Sequence, residues 1–445
     1  MSFVVHRVSK SAARYTDAGG REKCGYCRFF VAPRSCGKVI GPVSPQGWCK
    51  YFSRQVAQQY GGGISAGGPS PPPGMTLDLN FMSSGNMPAG VTFSRASPAS
   101  YQDASGLIQT AAVNQPRWDY VGGSLRGLLI EDASTNLILQ SGDMSNAAWV
   151  KGGSAPTVTG NNTTAPDGTT TASRVAFVAV PSAPNFSTIS QAFTATAAPY
   201  TISVWLKGTV GGELAYFSVT PDGVLYYKTA ATLTAAWQRF TLTTPNLTAV
   251  PWYFGIGTDR RDATQAATPA YTAFVWGAEA KAGALTSYIP TTSAAVARAA
   301  DLVSMSFIPA VSGTYAVRFV PAGAAASLPV IVSGNAGSPV MSIGADSRLV
   351  ASIKGGASVF SGVAPAMTFN AVNKAAFGWL TGASKAAVNG ALLGANAVAL
   401  TVAGTTIQLG SDGVTPGNNA INGALQIVQG WPRQLSDAEL QQVTT

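Results

Sequence analysis

Apolar and polar residues alternate in short runs along most of this chain, and Gly, Pro or Asn separates the runs. The segments that begin at Tyr200, Gln238 and Tyr271 alternate with a period of two, which places successive side chains on opposite faces of a strand. A similar series of runs extends from Gly313 to Trp431. Short strands joined by turn residues at fairly regular spacing predict a mainly β protein made of sandwich or jelly-roll domains.

The period changes at the C-terminus. Ser436 precedes a segment with helical spacing, and Glu439 stands three residues after it. In this spacing the Ser side chain can accept a hydrogen bond from the Glu backbone N–H while the Glu carboxylate accepts one from the Ser backbone N–H. The sequence therefore predicts one short helix that closes the last domain.

Composition marks the domain boundaries. Residues 61–74 combine repeated glycines with three successive prolines, which is typical of a linker. We expect this linker to hold the preceding residues away from the β region without packing on it. The predicted division is a basic four-cysteine module at 1–60, the linker at 61–74, a short β-rich connecting module at 75–136, a jelly roll at 137–301 and a β-sandwich at 302–445.

Positive charge is concentrated in the N-terminal module. The chain has a formal net charge of +9, and residues 1–60 contain ten Lys or Arg against two Asp or Glu. Nucleic-acid binding requires a basic face wherever contact is made, so nucleic acid is not expected as a partner of the nearly neutral β region. The basic residues of the module suit an anionic partner, and they equally offset the negative charge of a thiolate-bound metal site.

The distribution of apolar residues argues against a membrane protein. No uninterrupted apolar run of about 18 residues occurs, so we expect no transmembrane span. The first apolar run extends only from Phe3 to Val5, which is too short for a signal peptide. We expect the protein to be made and kept in a cytoplasm until it is assembled or released.

The cysteines are the part of the sequence that specifies chemistry. All four lie in the N-terminal module, as Cys24, Cys27, Cys36 and Cys49. Four thiolates can hold a [4Fe–4S] cluster, with a C-x2-C pair on adjacent corners and longer loops supplying the other two ligands. Zinc is an alternative, although structural zinc usually has a second C-x2-C pair that this chain lacks. Two disulfides are a third interpretation, which a reducing cytoplasm disfavours.

The residues around these cysteines follow a known order. A tyrosine-containing segment with Tyr15 precedes Cys24 and Cys27, then comes the single Cys36, and Gly47-Trp48-Cys49 closes the module. This order resembles the high-potential iron–sulfur protein family, whose fold encloses one [4Fe–4S] cluster in aromatic and apolar side chains. The resemblance implies that Tyr15 and Trp48 pack over the cluster and exclude water. It also implies that the four cysteines are the cluster ligands.

One departure from that family affects the expected role of the cluster. The loop between Cys27 and Cys36 is shorter than is usual in the family. A module of this size has a marginal core of its own, and a bound metal centre can supply the missing stability. We therefore expect the cluster to stabilise the module rather than to carry electrons.

Motifs in the β region also recur in an order that is known. They are Gly90 to Ser97, Gln115 to Tyr120, Gly127 to Glu131, Thr135 to Leu137 with Trp149, Trp276 to Glu279, and Ser287 to Thr291. The series resembles a module of tailed-phage virion proteins described as head spike or head fibre domains, over about residues 77 to 301. The resemblance implies a jelly roll similar to carbohydrate-binding modules. Residues 302–445 are more loosely similar to concanavalin-like and laminin-G-type sandwiches.

Catalysis is not expected. The single histidine, His6, lies near the N-terminus, which excludes a Ser-His-Asp triad in the β region. A glycosidase would need two paired carboxylates, and the sequence pairs none of the candidates. These candidates are Glu213, Asp222, Asp259, Asp262 and Glu279. Residues 259–262 are interpreted as a solvated loop with internal ion pairs.

Aromatic residues cluster in the jelly-roll region. Sugar rings commonly stack on exposed aromatic faces, but strand alternation directs many aromatic side chains into a core or a subunit interface. We expect the interior position for most of them. The set is Trp205, Tyr216, Phe217, Tyr226, Tyr227, Trp237, Trp252 and Tyr253.

These features together predict a structural virion protein of a tailed phage. The expected form is a head-attached spike, fibre or decoration protein that docks on the capsid or other virion proteins through its N-terminal module. Its β domains would project and bind host surface glycans, and we expect a homo-oligomer such as a trimer. A tail fibre or receptor-binding adhesin is one alternative, and an electron-carrier module fused to a lectin is another.

Overall fold

A computed structural model describes residues 70–83, 85–307, 309–322, 330–334, 339–353, 358–361, 363–397, 401–402, 405–411 and 420–445, together with two short strands nearer the N-terminus. The chain divides into two compact units, Met1–Gly62 and Gly63–Thr445.

In the first unit the structure describes one antiparallel hairpin, formed by β1 (Phe30–Val31) and β2 (Ser35–Cys36). Phe30 lies opposite Cys36, and Val31 lies opposite Ser35. Cys36 is thus the one predicted cluster residue whose backbone is described. The other five lie outside the described residues: Tyr15, Cys24, Cys27, Trp48 and Cys49.

The regular secondary structure described in the second unit is almost entirely β, which confirms the predicted mainly β fold of sandwich and jelly-roll type with one short C-terminal helix. Up to residue 136 the strands are β3 (Leu77–Asn80), β4 (Val91–Ser94), β5 (Ala99–Gln102), β6 (Ile108–Ala111), β7 (Trp118–Val121), β8 (Ser124–Ile130) and β9 (Ser134–Asn136). From 137 to 301 they are β10 (Val150–Gly153), β11 (Thr157–Thr163), β12 (Ala172–Phe177), β13 (Phe186–Thr194), β14 (Pro199–Gly208), β15 (Leu214–Thr220), β16 (Tyr227–Thr232), β17 (Gln238–Asn246), β18 (Pro251–Asp259), β19 (Tyr271–Ala282) and β20 (Val296–Arg298). The rest are β21 (Leu302–Ser306), β22 (Gly313–Val320), β23 (Val330–Gly334), β24 (Pro339–Ile343), β25 (Leu349–Ile353), β26 (Ser358–Phe360), β27 (Asn373–Trp379), β28 (Ser384–Val388), β29 (Ala391–Asn396), β30 (Thr406–Leu409) and β31 (Gly423–Trp431), followed by the helix α1 (Asp437–Thr444).

Strands β10 to β19 form a jelly roll of two five-stranded antiparallel sheets. The first sheet has the order β10-β13-β18-β15-β16, and the second has the order β11-β12-β19-β14-β17. Strand alternation places the core between them. In β18, for example, Trp252 and Phe254 are buried while Tyr253 between them is exposed. The inward side chains of both sheets form one hydrophobic cluster.

The second sandwich is assembled from two separate stretches of the sequence. One sheet has the order β26-β25-β24-β23-β30-β21-β4. The other has the order β29-β28-β27-β22-β31-β8-β7, with β3 also paired to β31. Strands β3, β4, β7 and β8 belong to the segment 75–136, which composition predicts to be a separate connecting module. The structure instead makes this segment part of the sandwich, so the jelly roll is an insertion between two parts of one domain.

Strand β31 shows why the two stretches combine. Its first residues pair with β8, where Gly423 lies opposite Ile130, and its later residues pair with β3, where Gly430 lies opposite Leu77. A short strand with one apolar face buries that face only by joining a sheet. The composition of such a strand predicts that it is a strand but does not show which strand it pairs with. For this reason the predicted domain boundary at residue 136 differs from the observed one.

The C-terminal helix begins as predicted. The Ser436 side chain accepts a hydrogen bond from the Glu439 backbone N–H, and the Glu439 carboxylate accepts one from the Ser436 backbone N–H at 2.8 Å. The helix packs through the buried Leu440 against Leu435 and Trp431. In the part of the chain that the structure describes, no helix is long and apolar enough to cross a membrane.

The end of the Gly/Pro linker is packed on the sandwich, contrary to the prediction. The Pro72 carbonyl accepts a hydrogen bond from the Trp431 indole N–H at 2.9 Å, and the Ser70 carbonyl accepts one from the Gln442 amide at 2.5 Å. Arg433 donates to the Pro73 carbonyl at 3.1 Å. Extended proline-rich backbone makes no internal hydrogen bonds, so its carbonyls are available to side-chain donors.

Candidate functional site

Aromatic and cationic side chains share the outer face of the second jelly-roll sheet. We call this the aromatic–basic face, and define it by Arg174 of β12, Trp205 and Lys207 of β14, Trp237 just before β17, Arg239 of β17 and Phe274 of β19. The strand register aligns them in two rows. Arg174, Phe274 and Lys207 lie side by side on β12, β19 and β14. Trp205 lies between Trp276 and Arg239 on the adjacent strands.

Alternation along β14 explains why these side chains point outward. Ile202, Val204 and Leu206 are fully buried in the jelly-roll core. Trp205 and Lys207 occupy the intervening positions, so they project from the opposite face and remain partly exposed. A tryptophan and a lysine at the outward positions of a strand thus define the centre of the site.

Lys207 lies between two aromatic rings. Its Nζ is 4.8 Å from the ring centroid of Phe274 and 5.1 Å from that of Trp237. Trp237 is fixed by its indole N–H, which donates to the Thr164 carbonyl at 2.9 Å. A ring quadrupole attracts a cation, so both rings hold the ammonium group in place. Among the described residues, no ion pair includes Lys207 or Arg174.

Trp205 is held by aromatic neighbours on one side and by a cation on the other. Its ring centroid is 5.6 Å from that of Trp276 and 5.4 Å from that of Tyr288, both in edge-on arrangements. The Arg239 guanidinium carbon lies 4.4 Å from the Trp205 ring centroid. Packing of this kind fixes the orientation of the ring, so a ligand meets a preformed surface.

A bulge in β19 allows both rows of the face to form. Gly277 has φ of +66°, and the register between β14 and β19 shifts at this point. The shift lets Trp276 and Glu279 both face outward although they are three residues apart. A Cβ atom on Gly277 would lie 2.6 Å from Cε3 of Trp205, so the position requires glycine for space as well as for conformation.

Below Arg239 the face rests on a buried ion pair. Glu279 accepts a hydrogen bond from the Ile289 backbone N–H at 2.8 Å and forms an ion pair with Lys281 at 2.9 Å. Arg239 also contacts the Glu279 carboxylate, and it donates to the Thr286 carbonyl at 2.9 Å. The Glu279 carboxylate therefore offsets one of the two positive charges of Arg239 and Lys281 inside the protein.

A second buried group of charges lies where the jelly roll joins the sandwich. We call it the junction cluster: Arg95, Arg117, Glu131, Arg298 and Asp301. The Glu131 carboxylate is 2.8 Å from Arg117 and 3.1 Å from Arg298. The Asp301 carboxylate is 3.0 Å from Arg95 and also pairs with Arg117. These buried, mutually paired charges have a structural role.

Ser287 connects the junction cluster to the jelly roll. Its backbone N–H and its hydroxyl donate to Glu131 at 2.5 and 2.6 Å. Burial by itself would raise the pKa of Glu131, but Arg298, Arg117 and the Ser287 hydrogen bonds outweigh it and hold that pKa well below its usual range. Arg117, Glu131 and Ser287 each belong to one of the motifs singled out in the sequence, and the structure brings them together at the junction.

The carboxylates considered for catalysis have structural partners. Glu213 accepts hydrogen bonds from the backbone N–H groups of residues 209 to 211, and Asp222 accepts them from residues 224 and 225. Asp259 pairs with Arg261 at 2.6 Å, which confirms an ion pair within this loop, although Asp259 itself is buried rather than solvated. Asp262 pairs with Lys228.

The aromatic residues that the sequence singles out divide between interior and surface. Tyr216, Phe217 and Trp252 are buried, while Tyr253 is 47% exposed. Tyr226 donates a hydrogen bond to Asp259, and Tyr227 stacks on Trp252. Trp205 and Trp237 contribute to the aromatic–basic face. Sequence reasoning did not single out the remaining members of that face, Arg174, Lys207, Arg239 and Phe274, whose signal is their outward position on otherwise apolar strands.

Within the described residues, no group of three or more His, Cys, Asp or Glu side chains is arranged to hold a metal ion. The predicted cluster ligands other than Cys36 lie outside those residues, and Cys36 is described through its backbone pairing alone.

The chain is similar to known proteins over limited parts of its length. No family model matches it. An iron oxidase from Acidithiobacillus ferrooxidans is 46% identical over 46 residues, which are 10% of this chain and 51% of the relative. The chain thus spans about half the length of this curated relative.

Solved structures similar to this chain include domain 4 of AbnA, an extracellular arabinanase of Geobacillus stearothermophilus, in complex with arabinotriose. It is 13% identical, with a TM-score of 0.28, and the match covers 37% of this chain and 83% of that one. TmCBM61 in complex with β-1,4-galactotriose is 13% identical, with a TM-score of 0.25 and coverage of 33% and 97%. The enzymatically active domain of tailspike protein 4 of bacteriophage CBA120 is 13% identical, with a TM-score of 0.25 and coverage of 33% and 21%.

Proposed function

We propose that this protein binds a saccharide on the aromatic–basic face of its jelly roll. The observation that carries the proposal is the placement of Trp205, Trp237 and Phe274 on one outer sheet face, partly exposed and fixed by their neighbours. The C–H faces of a sugar ring stack on aromatic rings, and nearby hydrogen-bond donors fix its hydroxyl groups. Lys207 and Arg174 supply such donors beside the rings.

A binding experiment with matched variants tests this proposal. We expect the full-length chain to bind members of an immobilised glycan panel, and we expect Trp237→Ala to weaken that binding by about fivefold or more, since loss of a stacked ring removes about 1–3 kcal/mol. Tyr253→Ala is the control, because Tyr253 is an exposed aromatic residue on the other sheet. Equal loss in both variants, or no binding by the unaltered chain, would contradict the proposal.

We propose further that the protein binds saccharides without cleaving them. Each carboxylate considered for catalysis already accepts hydrogen bonds or ion pairs from the protein, which supports a structural use of these groups. Incubation with the glycans that bind should release no new reducing ends. Hydrolysis that persists after Trp237→Ala has abolished binding would point to a contaminating enzyme, whereas hydrolysis lost with binding would contradict this part.

The proposed biological setting is the virion of a tailed phage. The supporting observation is that the motifs resembling head spike and head fibre modules form the junction cluster and the bulge of β19. We propose a head-attached, oligomeric spike or fibre that contacts capsid proteins, with a tail fibre as the alternative. Antibody labelling of virions in electron micrographs distinguishes the two positions, and absence of label from virions would contradict both.

For the N-terminal module we propose a bound [4Fe–4S] cluster held by Cys24, Cys27, Cys36 and Cys49, with Tyr15 and Trp48 covering it. Two observations support this: the 46-residue similarity to an iron oxidase, and the β1–β2 hairpin, which turns the chain back so that Cys36 lies opposite Phe30, three residues after Cys27. The four thiolates suit iron, and the bound cluster would cross-link the module.

Metal analysis tests the cluster proposal. We expect a brown protein with about four iron and four sulfide ions per chain, and we expect Cys36→Ala to lose both while the neighbouring Ser35→Ala retains them. Detection of zinc without iron would contradict the cluster and support a zinc site instead. Reversible one-electron cycling at an accessible potential would instead support the electron-carrier alternative.

A further inference from the structure

We infer that the ligand of the aromatic–basic face is an anionic saccharide, one that carries carboxylate or sulfate groups. The inference rests on the proposed function and specifies the chemical class of its ligand. It is carried by the difference between the two kinds of cation on this sheet face.

Two cations on the outer side of this sheet share one carboxylate of the protein. Arg239 and Lys281 both contact the Glu279 carboxylate, and Lys281 is fully buried. Glu279 in turn is fixed by hydrogen bonds from Ser203 and from the Ile289 backbone. Glu279 therefore holds both cations in the framework of the sheet and offsets one of their two charges.

The other two cations have no such compensation. Lys207 is surrounded by the rings of Phe274 and Trp237, which attract its charge but carry no net charge of their own. Arg174 donates to the Thr272 hydroxyl at 3.3 Å, which orients the guanidinium group without neutralising it. Within the described part of the chain, neither residue forms an ion pair, so the local potential of this row is positive.

The register places these two cations on either side of one ring. Arg174 lies opposite Phe274 on one neighbouring strand, and Lys207 lies opposite Phe274 on the other. Adjacent strands are about 4.8 Å apart, so the backbones of the two residues are roughly 10 Å apart. A saccharide that lies across the strands would stack on the ring and meet a cation at each side.

Charge then favours an anionic ligand over a neutral one. A neutral sugar displaces water from Lys207 and Arg174 but leaves their charges without a counterion, which is unfavourable. A carboxylate or sulfate group replaces that water with charge-assisted hydrogen bonds, which are about twice as strong as neutral ones. The same rings therefore bind an acidic sugar more tightly than its neutral counterpart.

Two pairs of probes test this preference on the full-length chain. Polygalacturonate is compared with its methyl ester, and dextran sulfate is compared with dextran, so that each pair differs only in its anionic group. Tryptophan fluorescence reports binding, since Trp205 and Trp237 lie at the site. We expect the anionic member of at least one pair to bind roughly tenfold more tightly at low salt, and we expect the preference to decrease as salt is raised. A preference within the polygalacturonate pair indicates a carboxylate ligand, and a preference within the dextran pair indicates a sulfate ligand.

Variants connect the preference to these two residues. Lys207→Met keeps the length of the side chain and removes its charge, and Arg174→Gln removes the charge on β12 with a shorter polar side chain. Each should weaken binding of the anionic probe several-fold more than binding of the neutral probe, so that the preference between the two decreases. Lys151→Met, which removes an exposed lysine from the other sheet, should change neither. Melting curves of all three variants confirm that they are folded.

The outcomes separate this inference from the proposed function. Equal binding of both members of each pair, or an unchanged preference in Lys207→Met and Arg174→Gln, overturns the anionic ligand but leaves saccharide binding intact if Trp237→Ala still abolishes it. Binding of none of the four probes also overturns the inference. Failure of the proposed function itself would show as absence of binding to every saccharide of the glycan panel.

Discussion

Lys281 and Lys207 lie on the same sheet face but serve different purposes. Lys281 is fully buried, and its ammonium group is held by Glu279 at 2.9 Å and by the Thr286 hydroxyl at 3.0 Å. Burial lowers the pKa of Lys281 to about 8, against the opposing effect of Glu279. Lys207 is partly exposed, and its ammonium group lies over the rings of Phe274 and Trp237. A buried charge persists only when it is paired, so Lys281 belongs to the framework and Lys207 to the surface that a ligand meets.

Gly277 is the single residue on which the shape of the face depends most directly. We expect Gly277→Ala to destabilise the protein by about 1–3 kcal/mol, because the new methyl group would overlap the Trp205 ring and because φ is positive there. Gly283→Ala is the control, since Gly283 also has positive φ but has no atom within 4 Å of the added Cβ. Urea unfolding measures both. Equal losses would show that backbone strain alone, and not contact with Trp205, determines the effect.

Asp301 is expected to be the most sensitive member of the junction cluster. Asp301→Asn would remove the carboxylate that pairs with Arg95 and Arg117, and breaking a buried pair in this way costs about 3–5 kcal/mol. Asp437→Asn removes the partner of Lys385 in an exposed pair and should cost less than about 1 kcal/mol. The free energies of unfolding of the two variants provide the test. A loss of stability in Asp301→Asn as small as in Asp437→Asn would refute the structural role of the cluster.

Glu131 should make the free energy of unfolding depend on pH in the acidic range. Its folded pKa lies below its unfolded value, so its contribution is fully present above the unfolded pKa of about 4.5 and is lost as the pH falls toward the folded pKa. We expect the free energy of unfolding to decrease below about pH 5. In Glu131→Gln the slope of that decrease should be smaller by up to about 1.4 kcal/mol per pH unit. Denaturant titrations from pH 7 to pH 3 measure the slopes, and parallel slopes would contradict the assignment.

Among the elements, the linker and β31 form one structural unit. The carbonyls of Ser70, Pro72 and Pro73 accept hydrogen bonds from side chains that follow or belong to β31 and α1. The proline segment therefore covers the end of the sandwich rather than acting only as a spacer. A fragment that begins at residue 70 keeps these contacts, whereas a fragment that begins at residue 75 loses them.

We expect the fragment 75–445 to be less stable than the fragment 70–445 by about 1–3 kcal/mol. The physical reason is that the buried indole N–H of Trp431 loses its acceptor, the Pro72 carbonyl. Chemical denaturation of the two fragments measures the difference. As a control, Trp431→Phe should lower the free energy of unfolding less in fragment 75–445 than in fragment 70–445. In fragment 75–445 the indole N–H has already lost its acceptor, the Pro72 carbonyl.

The whole second unit has an insertion topology. One sandwich is completed by strands on both sides of the jelly roll in sequence, and the junction cluster lies where the chain enters and leaves the jelly roll. Contacts of high sequence separation therefore hold the two domains together.

The topology predicts that residues 302–445 do not fold alone. Without β3, β4 and β8, strand β31 and strand β21 each lose a paired neighbour, and apolar side chains of the core are exposed. We expect the fragment 302–445 to show no cooperative unfolding transition, whereas the fragment 70–445 shows one. Circular dichroism during thermal unfolding distinguishes these results. A cooperative transition in fragment 302–445 would mean that the earlier strands are dispensable additions.

Local rules account for the features that the sequence determined by itself. Alternation with a period of two depends only on neighbours along a strand, so the mainly β fold could be predicted from runs such as the one at Tyr200. The capping box of α1 involves residues three apart, so Ser436 and Glu439 located the helix correctly.

Tertiary structure alone decided which distant residues meet. Arg95 pairs with Asp301, β3 joins β31, and Lys207 lies beside Phe274 and Trp237. The local sequence around each of these residues does not identify its partner. Contacts of this range depend on strand order and register, and a short alternating strand is compatible with many neighbours. The sequence by itself therefore determined that the chain forms short strands and one terminal helix. The sheets then decided the domain boundaries, the compensation of the buried charges and the composition of the candidate binding face.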